Sequence, residues 1–191
     1  MTVSRQPPAR PGHVGPFTYE DLLSVPEDGR RYEVLEGELV VSPPPQWRHQ
    51  QVQWRLARFL DRAVPLGFGV AAAAPLDVVL TPHDVAAPDL LFIARDREII
   101  AADNVQGAPD LVIEVPSETS RKRDTAFKRP VYERHGVRWY WIVDPEEETV
   151  RVFQLRDGRY GKPALFRAGQ RLGCELSPGV EEDAGRFFEA A

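Results

Sequence analysis

The sequence predicts a mixed α/β fold, and three observations carry that prediction. Apolar residues at Val52, Leu56, Phe59, Leu60 and Ala63 recur at the spacing of an amphipathic helix. Trp139-Tyr140-Trp141-Ile142-Val143 is a strongly apolar run of aromatic and β-branched type, the composition of a buried strand. The phrase Ala-Pro-Asp-Leu occurs twice, at Ala87-Pro88-Asp89-Leu90 and Ala108-Pro109-Asp110-Leu111, and each copy runs on into apolar residues as a strand does.

In chain order, residues 1–16 hold many prolines and little that packs, so they read as a mobile tail ahead of one domain spanning 17–191. Thr18 followed by Tyr19-Glu20-Asp21-Leu22 suggests a short helix with an approximate capping box. Arg31-Tyr32-Glu33-Val34-Leu35 and Glu38-Leu39-Val40-Val41 flank Glu36-Gly37, a tight hairpin turn, and Pro43-Pro44-Pro45 ends the pair. The helix over 46–63 carries His49 on its apolar face and is stopped by Pro65, Gly67 and Gly69. Leu76-Asp77-Val78-Val79-Leu80 reads as a strand closed by Pro82, and the two repeated phrases open strands at 89–93 and 110–115. The polar, basic stretch 117–135 is helical in its second part and closed by Gly136. Pro130 moves that helix start to near Arg129, because an interior proline breaks a helix. Residues 149–155 and 160–166 form a hairpin around Asp157-Gly158.

With 191 residues, 42% of them hydrophobic, the chain is long enough to bury a full core. Its net charge of −5 means that the field of the whole molecule does not attract nucleic acid, so any phosphate contact must come from a local basic patch. Cys174 is the only cysteine, which excludes a disulfide framework and a thiolate metal cluster. No apolar run approaches the ~20 residues of a membrane span, and the N-terminus lacks the apolar core of a signal peptide, so a soluble, cytoplasmic protein is expected. Zinc-finger spacing, a Gly-rich phosphate loop and a nucleophile elbow are all absent.

Glu114 places a carboxylate inside an otherwise apolar strand, where an unpaired charge costs several kcal/mol. Along that strand Asp110 and Glu114 share a face but lie roughly 13 Å apart at ~3.3 Å per residue, too far to bind one ion together. If 89–93 and 110–115 are antiparallel neighbours, the start of the first strand lies beside the end of the second and Asp89 approaches Glu114. Two carboxylates converging in this way make a hard-oxygen site suited to Mg²⁺ or Mn²⁺, with water and phosphate completing the shell. Such an ion neutralises a phosphodiester and activates water. Turn chemistry is the bland reading of Asp89 and of Asp110, and a buried ion pair is that of Glu114.

Pro88-Asp89 followed by Glu114-Val115-Pro116 resembles the PD-(D/E)XK nuclease signature. More specifically, several pieces in order resemble the Uma-two family of restriction-endonuclease-like proteins. These are Tyr32-Glu33, Glu36-Gly37-Glu38, His49, Pro88-Asp89, the segment from Pro109 through Glu114-Val115 with Ser117, then Lys128, Tyr132, Gly136-Val137 and Tyr140-Trp141-Ile142-Val143-Asp144-Pro145. The resemblance implies a restriction endonuclease-like core, a mixed sheet with flanking helices and additional N- and C-terminal strands. It implies a metal-dependent endonuclease in which Asp89, Glu114 and the Val115 carbonyl bind Mg²⁺ or Mn²⁺. Glu33 and His49 correspond to positions near that site. Pro116 stands where the superfamily motif has lysine, and the resemblance offers Lys128 from the next helix instead.

Without the resemblance, His49 reads as a hydrogen-bonded core histidine, Glu33 as a solvent-facing strand residue and Lys128 as a solvated charge. Arg121, Lys122, Arg123 and Arg129 form the best candidate surface for nucleic acid, DNA in the first instance. The rival to the enzyme is a catalytically inactive member acting as a DNA-binding or protein-interaction module, a reading that Pro116 and the acidic net charge favour. A homodimer is also expected, with Trp139, Tyr140 and Trp141 available to an interface.

Overall fold

Thr18 adopts an extended conformation ahead of the short helix Tyr19–Leu22 (α1), and the Asp21 carboxylate accepts from the Thr18 N–H at 2.9 Å, which completes the capping box. The computed structural model describes residues 15–97, 104–117 and 124–189. Most of the expected N-terminal tail lies outside the described residues.

Arg31–Leu35 (β1) and Glu38–Ser42 (β2) pair antiparallel, with Leu35 opposite Glu38. Glu36 and Gly37 make the turn at φ 55° and 75°, the left-handed geometry that a two-residue hairpin demands. The helix Trp47–Asp61 (α2) then buries Val52, Leu56, Phe59 and Leu60, the residues whose spacing predicts it.

Gly69–Ala73 (β3) is a strand that the sequence does not announce, because Gly-Val-Ala-Ala-Ala has little strand propensity of its own. Its tertiary partner supplies the order: Gly69 pairs with Ala94 and Ala73 with Leu90 along the strand Leu90–Ala94 (β6). A Cβ at position 69 would lie 2.1 Å from the Ile93 carbonyl oxygen, so only glycine permits this approach.

Between these strands come Val78–Thr81 (β4) and Asp84–Ala86 (β5), and after them Val105–Gln106 (β7). They join the first hairpin in a sheet of order β2-β1-β5-β4-β7. The central sheet gains Leu111–Glu114 (β8), Trp139–Asp144 (β9), Thr149–Arg156 (β10) and Arg159–Tyr160 (β11). Its order is β11-β10-β9-β8-β6-β3, and Ala164–Phe166 (β12) also pairs with β10. The strand β8 runs antiparallel to β6 and parallel to β9. Asp157 and Gly158 turn the β10–β11 hairpin with positive φ, as expected. A small hairpin of Arg171–Gly173 (β13) and Glu181–Asp183 (β14) precedes a 3₁₀ turn over Ala184–Phe187.

Strand alternation divides the central sheet into two buried faces. Leu90, Phe92, Leu111, Ile113 and Trp141 meet Val52, Leu56 and Phe59 of α2 and Phe187 of the C-terminal segment. Val112, Tyr140 and Ile142 meet Leu35 and Ala86 of the smaller sheet and Val131 and Tyr132 of the helix Arg129–Arg134 (α3). A single π turn, Asp124–Lys128, leads into α3, and Pro130 stands in its first turn, where its missing N–H costs nothing. The helix therefore starts at Arg129, where the proline directs it.

Tyr140 and Trp141 are wholly buried and Trp139 is partly buried, so the apolar run of β9 is core. That corrects the expectation that these three rings feed a subunit interface. No described helix is long and apolar enough to cross a membrane.

Candidate active site

The β6–β8 register sets Leu90 opposite Ile113, and one further residue along the same register sets Asp89 opposite Glu114. The antiparallel pairing inferred from the repeated phrase is the one found. Both carboxylates are buried, at 1% and 2% exposure, where each charge requires compensation.

Asp89 has its partners on three sides. Its Oδ1 lies 2.6 Å from Arg31 Nη2 and 3.3 Å from His49 Nε2, the latter within ion-pair distance but out of line for a hydrogen bond. Its Oδ2 accepts from the Val115 N–H at 2.7 Å. Burial opposes ionisation, yet the His49 ring, the Arg31 guanidinium and the Val115 amide hold the Asp89 carboxyl far below the usual carboxylate range. The Asp89 carbonyl in turn accepts from Gln53 Nε2 at 3.0 Å, which ties the strand end to α2.

Glu114 projects from the same sheet face as Asp89 and reaches toward α3. Its Oε1 accepts from Lys128 Nζ and from the Tyr132 hydroxyl, both at 2.8 Å. Lys128 Nζ also lies 2.9 Å from Glu33 Oε1, so a lysine that is 1% exposed bridges carboxylates of β1 and β8. Burial opposes ionisation of Glu33, but Lys128 and Arg31 outweigh it and keep its carboxyl below the ordinary value. Burial and the neighbouring Glu114 raise the Tyr132 phenol well above its ordinary value, so Tyr132 acts as a hydrogen-bond donor.

The solvated readings of Glu33 and Lys128 are thus replaced by burial. Arg31, Glu33 and Leu35 alternate onto the face of β1 that meets the central sheet, which explains why a charged residue in a hairpin ends up 1% exposed. The same alternation exposes a charged contributor that sequence reading missed. Arg31 stands two residues before Glu33 on the same face, and that spacing is the signal that identifies it.

Asp110 belongs elsewhere. It accepts from the Ala94 N–H at 2.7 Å, from Arg97 Nη1 at 3.0 Å and from Arg138 Nε at 2.7 Å, at the opposite end of β8 from Glu114. The second copy's aspartate is a structural clasp. Arg121, Lys122 and Arg123 lie outside the described residues, and the Arg129 guanidinium lies 5.7 Å over the Phe153 ring.

The donor set suits a hard divalent cation in its chemistry. Asp89, Glu114 and Glu33 offer carboxylate oxygens, and Glu33 Oε2 is buried with no hydrogen-bond partner among the described residues. Among the described residues no three His, Cys, Asp or Glu side chains stand close enough to hold an ion alone, so solvent or substrate oxygens would complete any shell. Arg31 and Lys128 already balance much of the negative charge.

Beside this cluster opens a cleft of about 610 Å³ whose wall includes Arg31, Gln50, Gln53 and Asp77. Partial burial and the charge of Glu33 raise the Asp77 carboxyl above its ordinary value.

Comparison with known proteins agrees with this architecture. The crystal structure of a "putative nuclease belonging to DUF820" from Anabaena variabilis ATCC 29413 matches with a TM-score of 0.75 at 21% identity, covering 91% of this chain and 98% of that one. At that identity the likeness speaks for the fold, a restriction endonuclease-like one. No curated protein matches. The sequence model of the Uma2 family, described as "Putative restriction endonuclease", matches residues 18–184, and the chain belongs to that family.

Proposed function

We propose that this protein is a metal-dependent endonuclease that hydrolyses phosphodiester bonds of nucleic acid. The observation that carries the reading is the meeting of Asp89 and Glu114 across the β6–β8 register, with Lys128 bridging Glu114 to Glu33. Asp89, Glu114 and the Val115 carbonyl would hold Mg²⁺ or Mn²⁺, which supplies charge neutralisation at a phosphate and a water of lowered pKa.

The chain's own residues supply the rest. The Lys128 ammonium, fixed by two carboxylates, is positioned to stabilise negative charge gathering on a phosphate oxygen, a role that depends on location and not on sequence neighbourhood. It takes the place of the motif lysine replaced by Pro116. Arg31, partly exposed beside Asp89, offers a phosphate contact, and His49 borders the same oxygen of Asp89. The Tyr132 hydroxyl fixes the Glu114 carboxylate by donating to it. We place the substrate as DNA, the basic residues Arg121, Lys122, Arg123 and Arg129 beside it, and the active unit as a homodimer in the cytoplasm.

Incubation of supercoiled DNA with Mg²⁺ or Mn²⁺ tests this reading. Nicking is expected from the native protein and is expected to vanish in Asp89→Ala and Glu114→Ala. Nicking that survives both substitutions overturns it.

One observation favours the rival, a nuclease-fold protein that binds without cutting. Asp89 and Glu114 are each already paired with a cation of the chain itself, which balances charge that a metal would otherwise neutralise. Binding to DNA that is indifferent to divalent ions, with no nicking, is the result that selects it.

A further inference from the structure

We propose that the exposed face of α2 is a stacking platform for single-stranded nucleic acid; this rests on the nuclease reading and adds a substrate form to it. Trp47 and Trp54 are 75% and 65% exposed, although indole is among the most costly surfaces to leave in water. Seven residues separate them, nearly two helical turns, so they share one face about 10 Å apart along the axis. They are the most exposed aromatic rings among the described residues.

The chemistry around the two rings selects the occupant. Arg58, four residues on, lies on the same face as Trp54, Arg55 flanks it about a quarter-turn round, and Asp61, the only acidic residue of α2, ends the same face one turn beyond Arg58. Arg58 forms no ion pair among the described residues. A chain of net charge −5 therefore presents here two indoles bordered by Arg55 and Arg58, while Arg48 beside Trp47 is paired with Glu146 and Glu148. Stacking on aromatic faces combined with cationic contact to the backbone is how single strands are held without sequence preference. A duplex offers no free base faces to these rings, and an apolar protein partner would gain nothing from the arginines.

The platform is continuous with the candidate site. Gln50, one turn before Trp54, and Gln53, on the flank of the helix beside it, line the cleft that Arg31 also borders, whereas His49 reaches Asp89 from the opposite, buried side of the helix. A strand whose bases rest on the two indoles thereby borders that cleft, and Arg31 joins the cleft to Asp89.

Fluorescence anisotropy of a labelled oligothymidylate, titrated with the full chain in EDTA, tests the proposal. Trp47→Ala and Trp54→Ala are each expected to weaken binding roughly 5- to 100-fold, with Trp54→Phe retaining most of the affinity. Arg58→Gln is expected to lower the slope of affinity against salt concentration. Unchanged affinity in the double alanine variant overturns the proposal, as does a wild-type protein that binds duplex as tightly as single strand or binds neither. A double variant that loses self-association in sedimentation while keeping oligonucleotide affinity assigns the face to a second copy and also overturns it. Because the assay contains no divalent ion and reads no cleavage, absence of nicking would strike the nuclease reading alone. Unaltered binding would strike the platform alone.

Discussion

Arg31 Nη2 lies 2.6 Å from Asp89 Oδ1, so the carboxylate that opens the central strand is paired with a residue of a different sheet. The contact joins the smaller sheet to the site, and it places a cation of the chain where a metal ion would compete for the same oxygen. Arg31→Met is therefore expected to tighten Mn²⁺ binding several-fold in calorimetric titration, while folding stability falls by about 1–3 kcal/mol as Asp89 loses its charged partner. Weaker Mn²⁺ binding in the variant would instead assign Arg31 to support of the ion site.

Lys128 is the second cation and the more deeply buried. Lys128→Met leaves Glu33 and Glu114 facing each other without the ammonium, which is expected to cost about 3–5 kcal/mol in urea unfolding at neutral pH. Lys128→Arg is not equivalent, because a planar fork cannot replace a compact charge shared between carboxylates of two strands. A loss below about 1 kcal/mol in the methionine variant would show that the bridge does not form in solution.

The two copies of the repeated phrase should respond differently to the same change. Asp110→Ala leaves the buried Ala94 N–H without its acceptor and frees the partly exposed Arg97 and Arg138, and is expected to destabilise by about 1–3 kcal/mol. Divalent-ion affinity of the folded fraction is expected to remain unaltered. Asp89→Ala is expected to abolish ion binding. Calorimetry alongside denaturation separates the two effects.

Asp77 and Asp84 should shift stability with pH in opposite directions. Burial and Glu33 raise the Asp77 carboxyl, so its charged form weighs against folding above its raised pKa and has no effect once it is protonated in both states. Asp77→Asn is expected to raise the Tm at pH 7, with the gain vanishing below about pH 4. Burial works against the Asp84 charge too, but the Glu36 amide, His135 and Arg134 prevail and lower its pKa. Its contribution is present above its unfolded value and lost as pH falls through the depressed folded one. Asp84→Asn should thus lower the Tm at pH 7 and converge on the native protein in acid.

Cys174 is buried, and burial pushes its thiol up to about 12. A disulfide reagent at pH 8 is expected to label it only after denaturant is added, at the rate of global unfolding. Rapid labelling of the native protein would contradict that burial.

Much of this arrangement was legible in the chain. Turn chemistry at Glu36-Gly37 and Asp157-Gly158, the apolar spacing of α2 and the proline at position 130 each fix an element locally, and each appears where it is expected. The pairing of Asp89 with Glu114 followed from alternation and strand direction. What the chain concealed depends on distant partners. The strand β3 is ordered by β6 and not by its own alanines, and Arg31 acquires its role only because the smaller sheet docks on the larger. The Trp139-Tyr140-Trp141 run misled for the same reason: both sheet faces are covered, so a hydrophobic strand is core on either side.

The strand β8 carries an anion at each end, Asp110 held by two arginines and Glu114 held by a lysine and a tyrosine. Consider a nascent chain trying alternative alignments. A slip of one residue would turn both acids toward the α2 face, among leucine and phenylalanine. A slip of two would keep the face but carry Glu114 to the place of Val112, against Tyr140 and Ile142, with no cation waiting. Either error buries naked charge, so the pair of acids acts as a lock with two wards, admitting one alignment of the central sheet during folding. The residue proposed for catalysis thereby also proofreads the strand that carries it.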